Sequence, residues 1–189
     1  MRKIVASFFI SLDGVVESPH EWHFPYFDDA MGKAVGDAMA EQTAMLMGRR
    51  LYDEWSQYWP TNTDDFAEVM NGATKYVLTH RPVEEPVWSN TTVIGDDAVA
   101  QVQALKDTGE GTIGMSGCAT TVRWLLAEGL LDELNLLVHP IAVGSGQRLF
   151  EDTGTVPLAL TSSDTLPTGV LHLRYRPADG AATPDSENS

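Results

Sequence analysis

The sequence predicts an α/β fold: a mixed, mostly parallel central sheet with helices on both faces and an antiparallel strand pair at the C-terminal end. Three observations predict it. Short β-branched runs alternate with segments whose apolar residues recur at helical spacing, the pattern of a parallel sheet joined by crossover helices. The first run, 4–12, is almost continuously apolar, as a strand covered on both faces requires. Near the end, two strand-like runs flank Pro167 and Gly169, residues that turn a chain back on itself.

Each element has its own reason. The first strand, 4–12, ends at Asp13-Gly14. Segment 16–26 carries Pro19, His20, Trp22, His23 and Pro25, too many breakers and polar groups for a regular element, and is long enough to cover a site. Residues 27–41 place Phe27, Met31, Ala34, Val35, Ala38 and Met39 on one helical stripe, with Asp28 at its edge and Asp29 pointing away. A short strand over 43–47 runs through Gly48-Arg49-Arg50 into a helix reaching Trp55. A short acidic helix over 64–70, strands over 75–79 and 91–94, a helix over 96–106 and a strand over 112–115 follow. In the helix 118–128, Cys118, Val122, Leu125 and Leu126 share a face, and Gly129 terminates it. Strand 133–139 closes at Pro140, and 158–161 with 170–175 form the final pair. The small, polar residues 178–189 cannot bury enough surface to order themselves, so the folded domain is expected to span 1–177, with 178–189 a disordered tail.

Composition narrows the function. With 43% apolar residues in 189, the chain can build one substantial core. A single cysteine, Cys118, forms no intrachain disulfide and no zinc-type spacing, which makes the cytoplasm the expected compartment. The basic start Arg2-Lys3 is followed by a run broken at Ser7 and Ser11, a strand rather than a secretory signal, and no apolar run is long enough to cross a membrane. A formal net charge of −15 argues against nucleic-acid binding, because that field repels polyanions. Against this acidic background Arg49, Arg50 and Arg81 stand out beside turns, as candidates for one local anionic ligand.

The chemistry-bearing segments lie where strands end. Met115-Ser116-Gly117-Cys118-Ala119 joins a strand directly to a helix, so small residues let an anion such as a pyrophosphate approach backbone amides; a tight turn without ligand gives the same pattern. Met47-Gly48-Arg49-Arg50 repeats the arrangement with two guanidiniums, whose forks of donors suit the 2′-phosphate of NADPH, and Thr79-His80-Arg81 closes the next strand. The alternative for each arginine is a solvated charge on a rim.

Two acids are candidate proton donors. Asp28, on the edge of an apolar helix face, would have its charged form disfavoured, or would cap the helix. Asp13 follows the first strand, where a cleft would open, or serves the Asp-Gly turn. Trp22 and Tyr26 offer an aromatic wall for a substrate, or plain packing. Two readings from other classes compete. Gly114-Met115-Ser116-Gly117-Cys118 nearly matches a serine-hydrolase nucleophile elbow, with Ser116 as nucleophile and His139 or His172 as base. A nucleotide-binding module without turnover is the other. His20, Glu21 and His23 lack metal-site spacing, and no metal is expected.

Five motifs appear in order: Ser11-Leu12-Asp13-Gly14, Met47-Gly48-Arg49-Arg50-x-Tyr52, Ser116-Gly117, Gly129-Leu130-x-Asp132-Glu133 and Pro140-x-x-x-Gly144-x-Gly146-x-x-Leu149-Phe150. Together they resemble the reductase domain of bifunctional riboflavin-biosynthesis deaminase/reductases and its stand-alone dihydrofolate-reductase-like relatives, over nearly the whole chain up to Pro177. The resemblance implies the dihydrofolate-reductase-like three-layer fold, an NADPH-dependent oxidoreductase acting on a small pterin, pyrimidine or imine-type substrate, and a homodimer. It implies that Gly48, Arg49, Arg50 and Thr79 surround the adenosine 2′-phosphate, that Ser116, Gly117, Cys118, Ala119 and Thr120 hold the pyrophosphate, and that Asp13 and Gly14 lie near the nicotinamide. The family's usual double glycine is here Ser116-Gly117. The run Trp22-x-x-Pro25-x-x-Asp28 is similar to the one preceding the substrate helix of dihydrofolate reductases but carries one extra residue, which argues against folate.

Overall fold

The computed structural model describes residues 1–83 and 87–178; the expected disordered tail lies outside them except for Ala178. One mixed sheet of eight strands runs in the order β4-β3-β2-β5-β1-β6-β8-β7. Its strands are β1 (Lys3–Ser11), β2 (Gln42–Gly48), β3 (Lys75–Leu78), β4 (Thr91–Ile94), β5 (Thr112–Ser116), β6 (Glu133–His139), β7 (Leu158–Thr165) and β8 (Leu171–Pro177). The first six are mutually parallel, and β8 pairs antiparallel with both β6 and β7. The helices are α1 (Asp29–Ala40), α2 (Arg49–Tyr58), α3 (Asp65–Gly72), α4 (Ala98–Asp107) and α5 (Ala119–Ala127).

Parallel neighbours need crossovers, and crossovers are right-handed. From β1 the chain passes through α1 to β2 in one direction along the sheet, and from β5 it passes through α5 to β6 in the other. A fixed hand therefore puts α1 and α5 on opposite faces, giving three layers. The main core joins Ile4, Leu46, Ile113, Val122, Leu125 and Leu134, all essentially inaccessible.

Strand β1 shows what this arrangement leaves open. Ile4, Ala6, Phe8 and Ile10 on one face are buried, whereas Val5, Ser7 and Phe9 on the other are only half-buried. The sequence predicts cover on both faces; the second face instead floors a cavity.

Among the boundaries that differ from the sequence reading, three have a clear cause. Helix α1 begins at Asp29, because the Asp28 side chain accepts from the Met31 N–H at 2.8 Å and so caps it, leaving Phe27 outside the helix and exposed. Segment 16–26 winds into two short 3-10 turns, Pro19–Glu21 and Phe24–Tyr26, each with proline in its first turn. Strand β7 continues through polar Ser162, Ser163 and Asp164 to Thr165, since its ladder with β8 supplies the backbone partners that its side chains do not advertise.

Candidate active site

Under α1 the half-buried face of the sheet opens into a cavity of about 310 Å³. Its floor is set by strand register: Ser7 on β1 lies opposite Ser116 on β5 and opposite Asn135 on β6, so the three side chains share one face in a row. Ala34, Val35, Ala38 and Met39 of α1 form one wall, and Trp55, Trp59, Phe66 and Met70 another. The Ser7 Oγ, Asn135 Oδ1 and Trp59 Nε1 atoms are buried without a hydrogen-bond partner among the described residues. His172 is the one ionisable side chain among the described residues lining the cavity, and burial pushes it below the usual histidine range.

Sequence reasoning missed Ser7 and Asn135, and weighed His172 only as a hydrolase base. The signal of the first two was legible: each is a polar residue flanked by apolar ones inside a strand, Ser7 in KIVASFFIS and Asn135 in ELNLLVH.

Ser116 and Gly117 line this cavity and also begin the turn into α5. Gly117 has φ +68°, which suits glycine. Beside it, on neighbouring β2, Gly48 N-caps α2, and a Cβ there would lie 2.7 Å from Thr121 Oγ1. Glycine thus lets the end of β2 pack against α5. The Gly48 N–H donates to Cys118 Sγ at 3.3 Å, and burial pushes that thiol up to about 11, so Cys118 faces the core while its backbone opens the helix. Helices α2 and α5 start here without side-chain caps, whereas α1 and α3 are capped by Asp28 and Asp64. Two sets of unpaired N–H groups therefore meet at the carboxyl ends of adjacent parallel strands. Ala119 is buried and Thr120 exposed in the first turn of α5.

A second cavity, of about 320 Å³, continues from that point along the ends of β3 and β4. Thr79 and His80 line one side and Thr120, Thr121 and Trp124 the other.

The arginines separate by role. Arg49 is nearly buried: its Nε donates to Asp53 at 2.6 Å, and its Nη1 donates to the carbonyls of Arg81 and Pro82. In this structure it acts as a strut between α2 and the chain after β3. Arg50 is exposed and donates to Gln147 Oε1 at 3.0 Å, and Arg81 is exposed. The Thr79 Oγ1 accepts from the Arg81 N–H at 3.1 Å, shaping that turn.

Neither candidate acid lies over the cavity. Asp13 accepts from Ser11 Oγ at 2.6 Å, the Val143 N–H at 3.0 Å and the Gly144 N–H at 2.8 Å. Those bonds, the serine hydroxyl foremost, hold its carboxyl down at about 2. Hydrogen bonds to the charged form favour it, so in this structure Asp13 serves as a structural acceptor. Asp28 is occupied as the cap of α1, and neither acid is among the described residues lining the cavity. Around Asp13 the first and last motifs lock together: the Gly14 carbonyl accepts from Leu149, and Glu17 Oε2 from the Gln147 N–H at 2.8 Å.

Trp22 and Tyr26 also fall outside the described lining. Both pack edge-on against buried His139, and Trp22 Nε1 donates to the Glu17 carbonyl. They belong to an aromatic cluster behind Phe9, which lines the cavity and stacks on His23 at 4.5 Å. The hydrolase reading loses its base. His139 pairs with Ser11, one strand beyond β1 and four residues past the level of Ser116, so about 10 Å across and about 13 Å along separate them. His172 lies on β8, three strands from β5.

The family model described as the RibD C-terminal domain matches residues 2–172. The uncharacterized protein YyaP of Bacillus subtilis (strain 168) is 28% identical over 181 residues, covering 92% of this chain and 94% of its own. Among solved structures, a Shewanella sp. PV-4 chain designated a riboflavin biosynthesis protein superposes with TM-score 0.76 at 18% identity, covering 93% of this chain and 99% of that one. Dihydrofolate reductase from Enterococcus faecalis, complexed with NADP(H) and RAB-propyl, superposes with TM-score 0.63 at 15% identity, covering 94% and 97%. At these identities the solved structures establish a shared fold.

Proposed function

This chain belongs to the RibD C-terminal domain family, and from that premise we propose that it is an NADPH-dependent reductase of a small pterin, pyrimidine or imine-type substrate. One observation carries the reading: Ser116 and Gly117 belong both to the cavity and to the uncapped start of α5. A dinucleotide whose pyrophosphate sits at that turn would have its nicotinamide end beside the cavity floor.

The donor set fits the cofactor. Gly48 lets the end of β2 pack tightly against α5, and the amides of Gly117 to Thr120, which open that helix without a side-chain cap, favour an anion. The cavity between Thr79-His80 and Thr120-Thr121 suits the adenosine, with exposed Arg81 and Arg50 as candidates for the 2′-phosphate. When bound, NADPH supplies the hydride. The chain's own residues bind and orient: Ser7 and Asn135 offer hydrogen bonds from the floor, and the α1 and tryptophan walls exclude water.

Calorimetric titration with NADPH and with NADH tests this reading. Binding with clear preference for NADPH, followed by acceptor-dependent loss of nicotinamide absorbance, is the expected result; no binding of either nucleotide rejects it. A binding module without turnover is the second reading, favoured by the lack of a carboxylate among the described cavity-lining residues. It predicts NADPH binding with no oxidation against any acceptor. The same family reading takes the protein as a cytoplasmic homodimer, which sedimentation of the purified chain checks.

A further inference from the structure

The cavity over β1 is a good hydrogen-bonding site and a poor site for charge. Its described lining contains no lysine, arginine, aspartate or glutamate. Polar atoms concentrate on the floor, where Asn135 is 8% exposed and its Oδ1 has no partner, next to Ser7 Oγ, which is likewise buried and unpaired. A third unpaired group, the Trp59 indole N–H, stands in the wall. Everything else facing the space is hydrocarbon, thioether, aromatic ring or backbone, apart from Gln42, Ser116 and His172.

Unpaired buried polar atoms are costly unless something satisfies them, and a side-chain amide beside a hydroxyl is complemented by a ligand edge carrying a donor and an acceptor. An anionic substituent meets the opposite situation. With the α5 amides taken by the cofactor, a carboxylate or phosphate drawn into this space loses its hydration and finds no cation in return, which strongly disfavours the charged form. Resting on the reductase reading above, we propose that the cavity takes an uncharged, largely apolar ring compound with a single polar edge held by Ser7 and Asn135, and that it rejects phosphorylated or carboxylated substrates.

The test compares 2-quinolinone, an uncharged bicycle with one polar edge, with 2-quinolinone-4-carboxylate, each titrated calorimetrically into the full chain with and without NADPH. The neutral probe is expected to bind about tenfold or more tighter than the carboxylate. Equal or tighter binding of the carboxylate, or no binding of the neutral probe, overturns the proposal. Asn135→Leu, close in volume, is expected to weaken the neutral probe about three- to tenfold through the lost hydrogen bond, and unchanged affinity in a folded variant counts against the assigned floor. Met39→Lys, on the α1 wall, adds the missing cation without touching the floor. It should recover carboxylate binding, and failure to do so removes the absence of charge as the cause of rejection. NADPH binding, measured in the same titrations, judges the reductase reading separately: if NADPH binds and the carboxylate is preferred, only the substrate class is wrong.

Discussion

The Asp13 carboxylate accepts the backbone N–H of Gly144 at 2.8 Å, joining positions 131 residues apart in sequence. With its bonds to Ser11 and Val143 this makes Asp13 the tie between the end of β1 and the glycine-rich turn after β6.

The tie sets a pH dependence. The folded carboxyl is lowered from 3.8 to about 2, so the stabilisation is fully present above the unfolded value and is lost as pH falls from about 4 through about 2. Asp13→Asn is expected to lower the melting temperature at pH 7 and to flatten the acid limb of the stability profile. A wild-type acid limb retained in Asp13→Asn would show that the tie contributes nothing.

Arg49 and Arg81 are expected to behave differently. Arg49→Ala removes bonds to Asp53 and to two carbonyls, and should cost about 1 kcal/mol in urea denaturation while weakening NADPH and NADH alike. Arg81→Ala, at an exposed position, should leave stability unchanged and weaken NADPH about tenfold more than NADH. A selective loss of NADPH in Arg49→Ala would return the phosphate role to that residue.

Gly48 is required by proximity. Gly48→Ala brings a methyl within 2.7 Å of Thr121 Oγ1 and is expected to cost about 1–3 kcal/mol, with weaker NADPH binding. Adding Thr121→Ala clears the obstruction and should recover part of both losses. Strict additivity in the double-mutant cycle would mean that the two positions do not press on each other.

Cys118 should resist thiol reagents. Its thiol is raised from 9.0 to about 11 and buried, so at pH 8 the thiolate fraction falls about hundredfold, and access falls with it. Labelling by a disulfide reagent is expected to become fast only when urea unfolds the chain. Rapid stoichiometric labelling of native protein would place the sulfur at the surface.

Local signals were enough for much of this molecule. Strand and helix positions follow from periodicity, because β1 and β5 needed apolar cover and α1 and α5 needed one apolar stripe. The glycines at 48 and 117, at strand ends before helices, were also visible, since both the backbone freedom and the missing side chain are properties of the residue itself.

Partner choice was not legible. A carboxylate near a strand end or helix start is consistent with several tasks in sequence; only the structure shows Asp13 accepting from the Val143 and Gly144 N–H groups and Asp28 from that of Met31. The bonds of Arg49 to Asp53 and to the carbonyls of residues 81 and 82 are likewise invisible until the chain folds. The cavity floor joins Ser7, Ser116 and Asn135 from three strands far apart in the chain. Sequence by itself determined which segments are strands, helices and glycine turns, because those depend on neighbours along the chain. Tertiary structure alone decided which buried polar groups are left unpaired and which are already bonded, because parallel register brings distant residues side by side and hydrogen bonds form only at contact distance.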